Sequence, residues 1–217
     1  MGGLFLLQGK LTGDAFFNMQ PVALIVATSF AAGLNVYATV ATLGLLARAE
    51  AVRLPPGLEI LGHWPIIAIA SALFIVEFFA DKIPAFDLLW NALHTFVRVP
   101  VAALLAYRAT AQLSPEAQVI SAVLGGAIAL AAHGSKTAAR AAVTPSPEPV
   151  SNIALSTGED VVAVGLTWFA TAHPVIAAAV AIAFLILLVM IARWLWRGLR
   201  RLFSRRAVSN PAPPPEV

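Results

Sequence analysis

Apolar runs of membrane length, separated by short polar breaks, set the order of elements along this chain. A helix needs about 20 predominantly apolar residues to cross a hydrocarbon core, and several runs approach that length. Pro21 suits the first turn of a helix, and the pattern predicts helix one over 21–47. Its small residues (Ala31, Ala32, Gly33, Ala38, Ala41 and Gly44) allow close approach of another helix. Thr28, Asn35, Thr39 and Thr42 share one helical face. That face predicts hydrogen bonds to a neighbouring helix or, at Asn35, the lining of a site. Residues 48–56 read as a loop, closed by Pro55-Pro56-Gly57. Helix two is predicted over 65–82, with His63 and Trp64 at an interface position, where Trp is favoured.

Pro84 stops helix two, because proline disfavours helical geometry in the residue before it. Helix three then runs to Tyr107-Arg108. Pro100 predicts a kink or a re-entrant turn within it, so the segment 83–108 either spans or re-enters. Ser114 caps helix four and Pro115 opens it; it extends to Ala142. The prolines within 144–152 argue against regular helix there. Ser156 and Glu159 match a capping box, which predicts a fifth helix over 157–171, short enough for a half-helix. Helix six, over 174–196, is uninterrupted by polar residues from Val175 to Ile191 and closes on Trp194 and Trp196. The domain organisation follows: an interfacial arm at 1–20, a helical transmembrane domain at 21–196, and a basic, then Pro-rich, disordered cytoplasmic tail at 197–217.

Composition sharpens the class. Of the 217 residues, 59% are hydrophobic and 12% charged, where soluble domains carry about 25% charged residues. The expected fold class is all-α: a polytopic helical membrane protein of about six membrane helices, with two irregular polar hairpins and one re-entrant or half-helix segment. No recurrent alternating segments of ~10 residues suggest a membrane barrel. The absence of cysteine excludes disulfides, thiolate catalysis and cysteine-ligated metal centres, and no cofactor is expected.

The net charge of +3 is concentrated at one end. Arg193, Arg197, Arg200, Arg201, Arg205 and Arg206 follow the last apolar run. By the positive-inside rule they place the C-terminus in the cytoplasm, and Lys10, Lys82, Lys136 and Arg140 fall on the same side. The expected location is a bacterial cell inner membrane, in multi-pass form. The bilayer itself is the first partner, with anionic lipid head groups at the terminal arginines. The Gly/Ala-rich faces of helices one and four would serve internal packing or a homodimer. Nucleic acid is not an expected partner.

The stretch 77–98, EFFADKIPAFDLLWNALHTFVR, breaks the apolar pattern. An ionisable group at bilayer depth costs roughly 2.5–3.5 kcal/mol on insertion scales, so a cluster of them invites a functional explanation. Glu77 and Asp81 lie four apart on one face. Asp87, Asn91, His94 and Arg98 form a stripe at spacings of four, three and four. His133, Lys136 and Arg140 form a second stripe near the end of helix four. The predicted topology puts the 82–87 and 141–156 hairpins on one side. There Glu77, Asp81, Lys82 and Asp87 meet His133, Lys136, Arg140, Glu148 and Asn152. Glu159 and Asp160 join the candidate set, although a capping box would explain Glu159 by itself.

Four strings, GLNVYATVATLGLLAR (33–48), EFFADKIPAFDLLWNALHTFVR (77–98), HGSKTAAR (133–140) and SPEPVSNIALSTGED (146–160), together resemble the bacterial membrane family catalogued as domain of unknown function 4126. The resemblance covers residues 20–190. It implies an integral membrane protein and carries no catalytic residues across. It places an aspartate after the Trp of the W-x3-H-T region, where this chain has Asn91.

The favoured function is a small transporter or channel for an ion or a phosphate-bearing solute, through the buried polar cluster. Carboxylates with His94 offer a divalent-cation path. Lys82, Arg98, Lys136 and Arg140, with the helix start at Ser156-Thr157-Gly158, offer an anion site. The alternatives are a lipid-active membrane enzyme or headgroup-binding module, and a structural membrane protein with a buried ion-pair network. No HExxH or GxSxG motif supports an enzyme.

Overall fold

The computed structural model describes residues 19–143 and 149–208, with side chains throughout except at 84–88, 91, 141–143, 149, 151, 152, 192, 195 and 199–208. The described residues form seven α-helices and one 3-10 helix, without strands. They are α1 (Met19–Leu34), α2 (Val36–Arg48), the 3-10 helix (Pro56–Gly62), α3 (Trp64–Ala80), α4 (Pro84–Ala109), α5 (Pro115–Val143), α6 (Pro149–Ala172) and α7 (Pro174–Val208).

The first predicted helix is two helices. Asn35 separates α1 from α2 with an extended backbone (φ −150°, ψ 103°), and its side-chain oxygen accepts from the Ala38 N–H at 2.9 Å. Asparagine is among the best N-caps, so a capping residue in mid-run ended one helix and began the next. The threonines of this face bond locally instead of bridging helices. Thr28 donates to the Leu24 carbonyl at 2.7 Å and Thr39 to the Asn35 carbonyl at 2.9 Å.

The 3-10 helix occupies the end of the predicted loop and bends by 69° into α3. Extended Ile83 precedes Pro84 at the start of α4, and α4 continues through Pro100 to Ala109. Ser114 caps α5 as predicted, its Oγ accepting from the Ala117 N–H at 3.3 Å.

The largest correction concerns α6. It begins at Pro149 and is 24 residues long. Residues 149–152 are therefore helical, Ser156 lies inside the helix, and the Ser156–Glu159 capping box does not exist. Proline at the first helical position costs no hydrogen bond, which is why Pro149 opens α6. With no helix start at Ser156-Thr157-Gly158, the anion site imagined there is gone. Helix α7 continues through the arginines to Val208, so residues 197–208, expected in the disordered tail, are helical. Of the arm expected at 1–20, Met19 and Gln20 begin α1; residues 1–18 and the tail from 209 lie outside the described residues.

By length and composition three helical segments can cross a membrane: Pro115–Arg140, Ile153–Ala172 and Pro174–Gly198. A fourth is added if the bent 3-10/α3 pair counts as one span. Exposed Ile, Val, Leu, Phe and Trp side chains cover α3 to α7, as expected of helices facing lipid rather than water. The sequence reading is therefore supported, among the described residues, as an all-helical, membrane-suited fold.

Two apolar cores hold the bundle. One joins α2, the 3-10 helix, α4 and α5 through residues such as Val36, Leu43, Leu58, Ala102 and Ala129. The other joins α1, α5, α6 and α7 through Phe30, Ala31, Ala132, Ala163 and Ala177. Backbones approach closely where glycine permits. A methyl group on Gly33 would lie 2.6 Å from the Ala129 carbonyl oxygen, and one on Gly125 2.6 Å from the Ala106 Cβ. These contacts set α1 and α4 against α5. Along α5, Ala129 and Ala132 belong to the cores, and His133, Lys136 and Arg140 follow on the next turns.

Candidate functional site

Four helices deliver ionisable groups to one buried network, and the α1–α2 break adds polar ones. From α3 come Glu77 and, at its C-terminal cap, Asp81. From α4 comes Arg98, from α5 His133, Lys136 and Arg140, and from α6 Glu159 and Asp160. Glu77, Asp81, Arg98 and Arg140 have no exposed surface. Side chains so far from water need partners, and the partners are specific.

Arg98 Nη2 donates to Glu77 Oε1, and Arg98 Nη1 donates to His133 Nδ1 at 2.7 Å. A guanidinium has no acceptor, so Nδ1 of His133 must be the bare nitrogen. Its Nε2–H then donates to the Thr95 hydroxyl at 2.8 Å. His133 is thereby held as the neutral Nε2–H tautomer.

Arg140 binds two carboxylates. Its Nη2 donates to Asp81 Oδ2 at 3.0 Å and also to Glu159 Oε2, and its Nε lies 3.1 Å from the same Glu159 oxygen. Lys136 faces three oxygens. Its Nζ reaches the Leu34 carbonyl at 2.9 Å, Glu159 Oε2 at 3.1 Å and Asp81 Oδ2 at 3.5 Å. The Leu34 carbonyl ends α1, so Lys136 caps that helix with a positive charge at its negative end.

Asn35 closes the network on the other side of the break. Its Oδ1 caps α2, and its Nδ2 donates to Asp160 Oδ1 at 2.9 Å. Glu77 Oε2 and Asp160 Oδ2 are buried and have no hydrogen-bond partner. Ser156 Oγ, one turn before Asp160 on the same face of α6, is likewise buried and unpartnered.

The formal charge follows from the census: Glu77, Asp81, Glu159 and Asp160 against Arg98, Lys136 and Arg140. The described network thus holds four carboxylates, three fixed cations and a neutral imidazole.

The structure therefore brings together Glu77, Asp81, Arg98, His133, Lys136, Arg140, Glu159 and Asp160 from the predicted set. Lys136 and Arg140 are interior residues, so they do not belong among the flanking charges that orient the chain. Lys82 lies apart. It folds back so that Nζ donates to the Phe78 carbonyl at 2.8 Å and rests 3.1 Å from the centre of the Phe78 ring.

His94 is buried but bonded elsewhere. Its Nδ1–H donates to the Trp90 carbonyl at 2.8 Å, its ring stacks on Trp90 at 4.2 Å, and Tyr37 meets it edge-on at 5.7 Å. The side chains of Asp87, Asn91 and Asn152, and Glu148 altogether, lie outside the described residues. No group of three or more His, Asp or Glu able to hold a metal ion occurs among the described residues.

Sequence reasoning missed Thr95 and the Leu34 carbonyl, and it offered Asn35 only as an alternative to interhelical hydrogen bonding. Asparagine in the middle of an apolar run was the available signal for Asn35, since it marks an N-cap as readily as a helix face. Nothing in sequence marks a carbonyl as the partner of a lysine a hundred residues away.

No curated protein and no solved structure matches this chain. The family model described as Domain of unknown function (DUF4126) matches residues 22–194, most of the chain and all of the network, and the protein belongs to that family.

Proposed function

We propose that this protein is a small membrane transporter in which the buried network takes up and releases a proton on Glu77 and Asp160. The observation that carries this reading is that Glu77 Oε2 and Asp160 Oδ2 are buried without a hydrogen-bond partner among the described residues. A buried acceptor without a donor costs about 1–3 kcal/mol, and more when charged. A proton removes that cost. Acidic groups in membrane helices are the usual material of proton relays, and Ser156 lies one turn from Asp160 to extend one.

The break at Asn35 supports the same reading. Discontinuous helices with polar groups at the break are a recurrent way of building transport sites within a bundle. Here the break presents Asn35 to Asp160 and the Leu34 carbonyl to Lys136. A phosphate-bearing solute is less well served, because Arg98, Lys136 and Arg140 already engage carboxylates. A divalent cation lacks a ligand cage among the described residues.

The rival reading, a network that fixes helix register, draws on the complete pairing of those three cations. Proton flux separates the two. Purified protein in liposomes with an internal pH dye is driven by an imposed potential, and wild type is compared with Asp160→Asn and Glu77→Gln. Transport predicts dye response in wild type and its loss in both variants while they remain folded. Equal response in wild type, variants and protein-free liposomes would discard the reading in favour of a structural network.

A further inference from the structure

A lateral cleft reaches the network from the outer surface of the bundle. Its volume is about 580 Å³, within the range of roughly 300–1,000 Å³ typical of small-molecule sites. Its walls are apolar: Phe30 and Leu34 from α1, Leu155 and Val162 from α6, Phe184 and Leu188 from α7. Phe184 is exposed on the bundle exterior, and its ring faces Phe30 with centroids 6.4 Å apart. The inner end is polar, lined by Glu159 and Lys136.

Those two charges are not equally accessible. The Lys136 side chain has no exposed surface, whereas 13% of Glu159 is exposed. Among the described residues, the hydrogen bonds and ion pairs of Glu159 fall on Oε2, which turns Oε1 toward the cleft as the acceptor for a ligand. The cleft therefore ends on a carboxylate, with the ammonium screened behind it.

We infer that the cleft binds a lipophilic cation, with its apolar body between α1, α6 and α7 and its positive charge against Glu159. Resting on the transport reading above, the inference names the class of substrate that proton uptake would be coupled to. Lys136 and Arg140 already hold Glu159, so a bound cation weakens their grip on that carboxylate. It thereby shifts charge toward Asp81, which both cations also contact. This supplies a physical link between ligand and the proton-bearing groups.

The charge preference is tested with two probes of nearly equal shape and opposite sign, tetraphenylphosphonium and tetraphenylborate. Each is titrated calorimetrically into the detergent-solubilised full-length protein, against empty micelles. The expected result is at least a tenfold preference for the phosphonium. Glu159→Gln should remove that preference.

Gly158→Phe is the second variant. A side chain there meets no neighbour at its first carbon, so it fills the cleft while leaving every ion pair in place, and phosphonium binding should be lost. Equal binding of the two probes, preference for the borate, absence of binding, or undiminished phosphonium binding in Gly158→Phe would each overturn the inference. Selective phosphonium binding by a protein that moves no protons would uphold the cleft and reject the transport reading. Proton flux without phosphonium selectivity would do the reverse.

Discussion

Replacing Arg98 with methionine should be among the most damaging single changes in the protein. Arg98 is fully buried and serves both Glu77 and His133. Methionine fills much of the space but leaves the Glu77 carboxylate with neither oxygen partnered and His133 Nδ1 without its donor. Breaking a buried pair from one side costs about 3–5 kcal/mol, because the remaining charge is uncompensated. The pair as a whole is worth far less, since desolvation offsets its attraction. Glu77→Gln combined with Arg98→Met should therefore recover much of the loss. The expected coupling energy is about 1.5–3 kcal/mol, the upper part of the range for directly interacting residues. Equilibrium unfolding of the four proteins in mixed micelles gives the cycle. Arg98→Met within ~1 kcal/mol of wild type, or losses that simply add in the double variant, would refute the assignment of Arg98 as the counter-charge of Glu77.

Other expectations follow from the same geometry. Asn35→Ala removes the α2 cap, a loss of about 0.5–2 kcal/mol, together with the one partner of Asp160. Asn35→Asp keeps a capping oxygen but sets a second carboxylate against Asp160, so its unfolding midpoint should fall below that of Asn35→Ala. Gly33→Ala drives a methyl group to 2.6 Å from the Ala129 carbonyl oxygen and should cost about 1–3 kcal/mol, as overpacking does. Gly165→Ala meets nothing within 4 Å and should be neutral, or stabilising by roughly 0.5–1 kcal/mol, the helical preference of alanine over glycine. The same unfolding assay ranks all four, and a Gly33→Ala protein as stable as Gly165→Ala would mean that α1 and α5 are not in close contact.

What the sequence made legible was set by periodicity. Glu77 with Asp81, and His133 with Lys136 and Arg140, lie at helical spacings, so their sharing of a face could be read directly, and both faces turn into the network. Prolines located the starts of α4, α5 and α7 because proline constrains the chain locally. The same local logic misled at Ser156–Glu159. A capping box is only a preference of about 1 kcal/mol, and it lost to tertiary contacts: Asp160 with Asn35, and Glu159 with Arg140 and Lys136. Asn35 shows the reverse error. Its apolar surroundings suggested an unbroken helix, and the break became visible only once Lys136 and Asp160 were present to satisfy the groups it exposes. Lys82 looked equivalent to Lys136 in sequence, yet the nearby Phe78 carbonyl and ring hold it away from the carboxylates.

Infrared difference spectroscopy tests the central claim most directly, because it observes the proton on the carboxyl group itself. Full-length protein in lipid is taken through a pH cycle, with Glu77→Gln and Asp160→Asn measured alongside. Proton uptake by the network predicts a protonated-carboxyl C=O band that changes with pH in wild type and is lost in one variant or the other. A wild-type spectrum with no such band at any pH at which the protein stays folded would contradict the account and leave the network a set of fixed ion pairs.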